Sequence, residues 1–331
     1  MAKFSRSQRR IFVLSMPLAG LIALSGCSAS GPDSAVPTAD TAPVESAFEH
    51  VHGLGADPLT GNTYAATHHG VWLIPTNVLP DTYLTGAPRA DTTQPTQIAG
   101  LGQDTMGFTV AAPGHLLASG HPDPTEPNDL RLPNLGLISS TNEAASWTAV
   151  SLEGETDFHD LDAVQLDDDT LRVYGYNAGT GAITVSDDSG LTWSPRAVLA
   201  LRDLSADPTR PDRIYATTAD GLLMSTDAGQ TFTPLAGAPA LLLIDTVETD
   251  AGSSLVGMDP SGGVWRLDAD TWTQTGTTGR APEAFTVVDG TAPWILVADA
   301  TGIAASDDYG STWTALVALA GSAANVSGHE H

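Results

Sequence analysis

Of the nine histidines in the chain, His50, His52, His68 and His69 fall close together in the stretches HVHGLGAD and ATHHGVW. His50 and His52 stand two residues apart, a spacing that sends both imidazoles to one face of a β-strand. Neutral imidazole is a metal ligand. With thioether and carboxylate groups it makes a set suited to copper, or to zinc where methionine stays out. Whether such side chains meet depends on the elements that carry them.

Those elements repeat along the body, from about residue 47 to 319. SDDSGLTW from Ser186, STDAGQTF from Ser225 and SDDYGSTW from Ser306 share the pattern S-x-D-x-G-x-T-aromatic. In each, serine and aspartate serve turn backbone groups, glycine takes a positive φ and the aromatic packs inward. The structural positions are thus Ser186, Asp188, Gly190 and Trp193; Ser225, Asp227, Gly229 and Phe232; and Ser306, Asp308, Gly310 and Trp313. STNEAASW from Ser140 carries Asn142 for the aspartate and Ala144 for the glycine, which predicts a looser turn there. The pattern resembles the Asp-box, or BNR repeat, of sialidase-like β-propellers.

Short apolar strands lead into these boxes, and GVWLI at 70 and GVWRL at 263 are the same strand without one. Box-equivalent positions fall near 74, 140, 186, 225, 267 and 306. Most intervals match a four-stranded blade of about 40–45 residues. This predicts an all-β, six-bladed β-propeller over 47–319, with seven blades the alternative if the insertion from Pro75 to Gln97 hides one.

Stacking the blades brings the chemistry together. The third position of each inner strand is His52, Met106, His159, Arg202, Ile244 and Glu283, expected to ring the central channel at its top. His50 and Asp157 come from the first position. His68, His69, His121, Tyr176, Met258, Asp259 and Asp299 come from the ends of second strands. His52, His159 and Met106 are the first-rank ligands for copper or zinc, with His50, His68, His69 and His121 behind them. Each histidine alone reads more readily as a polar rim residue bonded to loops and water; their convergence from three blades is what brings the metal reading level with it.

The Asp-box resemblance implies a second function, glycoside hydrolysis of the exo-sialidase-like type. A sialidase needs an arginine triad, a tyrosine nucleophile with its glutamate, and an aspartic acid. Glu283, Asp157, Tyr176 and Arg202 are the weak catalytic candidates, with Asp160 and Tyr174 near the same mouth. Of the arginines, only Arg202 starts an inner strand, and the Arg-Ile-Pro signature is missing. A third reading is a protein-interaction scaffold using the same face.

The ends say where the body works. MAKFSRSQRR followed by the apolar run Ile11 to Gly26 reads as a secretory signal over 1–26. Leu24-Ser25-Gly26-Cys27 resembles a bacterial lipobox, with Cys27, the chain's one cysteine, as the lipidation site. Arg9-Arg10-Ile11-Phe12-Val13 resembles the twin-arginine export motif. Residues 27–46 read as a lipidated cysteine and flexible, disordered tether, and 320–331 as a flexible tail. Together with FEHVHGL at 48, SGHPD at 119, DFHDL at 157 and the boxes, this resembles lipid-anchored Asp-box propellers of high-GC Gram-positive bacteria, often described as glycosyl-hydrolase-like. The expected location is the outer face of the cell membrane, with a metal ion, glycan or protein as ligand. The net charge of −26 argues against nucleic acid as a partner.

Overall fold

The computed structural model describes residues 50–80, 92–123, 133–249, 252–289 and 293–319. The signal peptide, Cys27, the tether and the tail lie outside them. The described chain forms six four-stranded antiparallel sheets, each built from four consecutive strands. They are β1–β4 (Val51–Ala56, Thr63–Thr67, Gly70–Ile74, Thr96–Gln97), β5–β8 (Asp104–Ala112, His115–His121, Leu137–Ser140, Thr148–Ser151), β9–β12 (Phe158–Asp167, Thr170–Asn177, Ala182–Ser186, Ser194–Val198), β13–β16 (Leu201–Ala206, Ile214–Thr218, Gly221–Ser225, Thr233–Pro234), β17–β20 (Leu243–Thr249, Gly252–Met258, Gly263–Asp268, Thr271–Thr277) and β21–β24 (Pro282–Val288, Trp294–Asp299, Gly302–Ser306, Thr314–Ala318).

The first strand of each blade neighbours its counterparts on either side, and β1 also neighbours β21, which closes a six-bladed propeller. The six-blade expectation holds. The fourth strand of blade 1, Thr96–Gln97, pairs with β3 across the 75–95 insertion, so that insertion lies inside blade 1. The first and last blades join by apolar packing, with Leu54, Trp72 and Ile74 against Val288, Trp294 and Leu296.

The inner strands share one irregularity. Val51 pairs with Thr67 and Gly53 with Ala66, so His52 is an extra, bulged residue. The same skip falls at Met106, His159, Arg202 and Glu283. Only blade 5 runs in unbroken register past Ile244. A β-bulge bends its strand and re-aims one side chain. Here it turns five of the six equivalent residues toward one axis.

Glycine after the bulge lets neighbouring blades close. A Cβ on Gly107 would come within 2.5 Å of the Phe158 carbonyl oxygen, so a side chain there would push blades 2 and 3 apart.

On the other half of the ring, aspartates do the joining. Leu204 N–H donates to Asp160 at 2.7 Å, Ala206 N–H to Asp162 at 2.7 Å, Ile244 N–H to Asp203 at 2.7 Å and Val287 N–H to Asp245 at 2.7 Å. Inner strands of different blades share no ladder, so each carboxylate satisfies a backbone donor that would otherwise face the channel unpaired.

The box turns lie at the far ends of the third strands. In blade 3, Ser186 Oγ donates to Asp188 at 2.7 Å and accepts from Gly190 N–H at 2.8 Å, while Asp188 accepts from Thr192 N–H at 2.8 Å. Blades 4 and 6 repeat these bonds. Blade 2 does not loosen, contrary to its sequence. Ser140 Oγ donates to Asn142 at 2.9 Å and accepts from Ala144 N–H at 3.0 Å, and Asn142 accepts from Ser146 N–H at 3.1 Å. The asparagine carbonyl replaces the carboxylate as acceptor. Ala144 takes the left-handed φ of 61° that glycine takes elsewhere, with its methyl buried in the core between blades 1 and 2. Trp193 packs on Phe158, and its Nε1–H donates to Ser151 of the preceding blade at 2.9 Å. Ser186→Ala, which strips this fully buried hydroxyl from its partners, is expected to lower the unfolding free energy by about 1–3 kcal/mol in urea titrations.

Candidate functional site

The top of blades 1 to 3 carries an alternating row of imidazoles and carboxylates. His68 sits in the turn between β2 and β3. Gly70 N–H donates to Gln103 O at 2.8 Å, which sets that turn beside the start of β5 and therefore beside Asp104. Asp104 pairs in register with His121 at the end of β6. Asp157 precedes β9, and His159 is that strand's bulged residue.

Distances along the row fall into two kinds. His68 Nδ1 to Asp104 Oδ1 is 2.8 Å, and His159 Nε2 to Asp157 Oδ2 is 2.7 Å, both hydrogen bonds. His121 stands 3.6 Å from Asp104 through Nδ1 and 3.5 Å from Asp157 through Nε2, looser contacts that place it between the two carboxylates. His52 Nε2 lies 3.3 Å from both ring nitrogens of His68, with the rings at 78° to each other. His50 meets His68 edge-on, ring centroids 5.5 Å apart. His68, His121 and His159 are each 40–42 % exposed, so the row is open to solvent.

One ligand atom each of His52, His68 and Asp104 lies within 4.8 Å of the others. Two nitrogens bound tetrahedrally to one ion at about 2.0–2.1 Å stand about 3.3 Å apart, which is the His52 to His68 separation. Burial, with His68 beside it, lowers the His52 pKa to about 4, so this imidazole is neutral at pH 7 and keeps its lone pair. Asp104 accepts from His68 Nδ1, fixing the tautomer that leaves Nε2 free, the usual orienting partner of a metal-bound histidine. The hydrogen bond that His159 donates to Asp157 raises the His159 pKa, as expected for an imidazole held by a carboxylate.

Below this row the bulges open into a cavity of about 210 Å³, lined by His52, Met106, His159, Arg202 and Glu283, with Tyr176 beside them. Arg202 reaches across the channel to donate to the Glu283 carbonyl at 3.0 Å. Burial raises the Glu283 pKa, and its Oε2 is buried without a hydrogen-bond partner.

Several residues expected on this face do other work. Met258 is fully buried in the core between blades 5 and 6. Tyr174 is fully buried, with its hydroxyl donating to Pro211 O, so it does not stand at the mouth. Asp259 caps its own turn, accepting from Gly263 N–H at 3.0 Å and Trp265 Nε1–H at 2.8 Å. Asp299 is buried and caps Thr301. His69 is exposed, and its carbonyl accepts from Trp72 and Gln97. Asp104 was missed by sequence reasoning. It stands two residues before Met106, as His50 and Asp157 stand before His52 and His159, and that shared position marks it out from other acids.

Among the described arginines, Arg172 pairs with Asp187 and Asp212, Arg213 with Asp207, and Arg266 with Asp268. Arg202 is the one described arginine lining the cavity, so no arginine triad assembles there among the described residues.

No family model matches the chain. A xyloglucanase of Hypocrea jecorina (strain QM6a) is 30% identical over 212 residues, 55% of this chain and 24% of the relative, so the chain spans about a quarter of that protein's length. The GH74 xyloglucanase structure from Xanthomonas campestris is similar with a TM-score of 0.51 and 18% identity, covering 81% of this chain and 45% of that one. A peptide-bound YCF48 structure is similar at a TM-score of 0.47 and 15% identity, over 81% of this chain and 82% of that one. The likeness is one of fold. It supports a β-propeller and points to no sialidase in particular.

Proposed function

We propose that this chain is a binding module, carried at the outer face of the membrane by a lipid on Cys27, that captures copper(II) or zinc on the top face of its propeller. The observation that carries the reading is the meeting of His52 Nε2, His68 and Asp104 within 4.8 Å. His52 and His68 supply nitrogens, Asp104 holds His68, and His50 is within reach as a third imidazole. A large acidic excess concentrates cations around such a site. Titration of the metal-free chain with Zn2+ and with Cu2+ tests it: one ion per chain with micromolar or tighter affinity supports capture, and no saturable binding sinks it.

The second reading is glycoside hydrolysis, favoured by Glu283. A half-buried carboxyl with a raised pKa and one buried, unpartnered oxygen has the character of a general acid, and Tyr176 and Arg202 line the same cavity. The xyloglucanase relative names a glycan substrate class to try first. Xyloglucan oligosaccharides, a sialoside and other chromogenic glycosides form the test panel. Turnover that disappears in Glu283→Gln would place hydrolysis ahead of metal capture.

A further inference from the structure

The ring of bulged residues offers a second ligand set that shares one member with the first. His52, Met106 and His159 come from β1, β5 and β9, three consecutive inner strands, and their side chains line the same cavity of about 210 Å³. In each case the bulge turns the side chain there. Met106 is the telling residue. Met258 is fully buried in an apolar core, as methionine usually is, whereas Met106 is half-buried beside two imidazoles, Arg202 and Glu283. A thioether there gains little from burial, but it is a soft ligand for a soft cation.

The two sets differ in chemistry. On the rim, His52 and His68, with Asp104 orienting His68, make a nitrogen environment suited to divalent ions. Inside the mouth, His52 and His159 with Met106 make a nitrogen and sulfur environment suited to a monovalent d10 ion. We infer that the channel mouth is a two-station metal site in which His52 turns between an outer station for divalent ions and an inner station, completed by Met106 and His159, for a soft monovalent ion such as copper(I). This rests on the reading of the top face as a metal-capturing surface, and adds which oxidation state each depth accepts. Because both stations use His52, occupation of one excludes the other.

The experiment titrates the full chain with Zn2+ and with Ag+, the air-stable surrogate for copper(I), alone and in competition. Met106→Leu keeps the volume and apolar character of the side chain, so folding is retained. It is expected to weaken Ag+ binding by roughly tenfold or more while leaving Zn2+ unchanged. Asp104→Asn is expected to weaken Zn2+ and spare Ag+, His52→Ala to weaken both, and saturating Zn2+ to suppress Ag+ binding. Ag+ affinity unaffected by Met106→Leu, or Ag+ and Zn2+ bound together without competition, overturns the two-station site while capture of divalent ions stands. A wild-type chain that binds neither ion overturns both.

Discussion

Replacing His52 and His68 together by alanine is expected to weaken Zn2+ binding at pH 7 by about 100-fold or more, since it removes the two nitrogens that stand at ligand spacing. The rest of the fold should be spared. Both rings lie at the solvent end of the channel, His52 half-buried and His68 exposed, and the one blade-to-blade bond lost, His68 to Asp104, is a solvent-exposed one. The paired control is His115→Ala. His115 lies at the opposite end of β6 from His121, outside the cluster, so its loss should leave Zn2+ affinity unchanged. Calorimetric titration of the double variant beside that control separates loss of a site from loss of one histidine among many.

A second large effect concerns pH and the channel wall. Burial, followed by the Asp203 charge, pushes the Asp160 pKa up. Burial likewise raises Asp203, and burial with the Asp245 charge raises Asp162 to about 7. These groups have folded pKa values above their unfolded ones, so the fold favours their protonated forms. The stability they contribute is present below about pH 4 and is lost as pH rises through about 7. Unfolding free energy should therefore be higher at pH 6 than at pH 8. Asp203→Asn tests the cause. Its amide carbonyl can accept from Ile244 N–H as the carboxylate does, and its NH2 can donate to neighbouring Asp160 in place of a proton the two acids would share. The variant is expected to be more stable than wild type at pH 8 by on the order of 2 kcal/mol and to show a flatter pH dependence. Equal stability of the two chains at pH 8 in urea titrations would mean that these carboxylates are hydrated and ordinary.

Much of this architecture is legible in the sequence because it repeats. The glycine-led third strands and the S-x-D-x-G-x-T turns fix the blade spacing, and aligning the blades places His52, Met106, His159, Arg202 and Glu283 at equivalent positions, where the structure finds its bulges. The bulge is invisible in composition, since any residue type can occupy it. Asp104 shares the first inner-strand position with His50 and Asp157, but that position alone does not show what it touches. Its role comes from pairing opposite His121 and from the turn bonded through Gly70, both contacts between distant segments. The channel acids did leave a signal. Asp160, Asp203 and Asp245 each follow the bulge-equivalent position directly, where blades 1, 2 and 6 have Gly53, Gly107 and Ala284. Charge stitches one half of the ring and small residues let the other half close. Blade 2 shows the limit of motif reading, because asparagine and alanine make the same turn as aspartate and glycine when the hydrogen-bond acceptor and the positive φ are preserved.

The most direct measurement of the central claim is anomalous X-ray scattering from crystals of the chain loaded with Zn2+, with data collected on both sides of the zinc edge. The account predicts a peak on the top face of the propeller at about 2 Å from His52 Nε2 and from a ring nitrogen of His68. Zinc located only at other surface acids or histidines, with His52 and His68 still in direct contact and no peak between them, would contradict it.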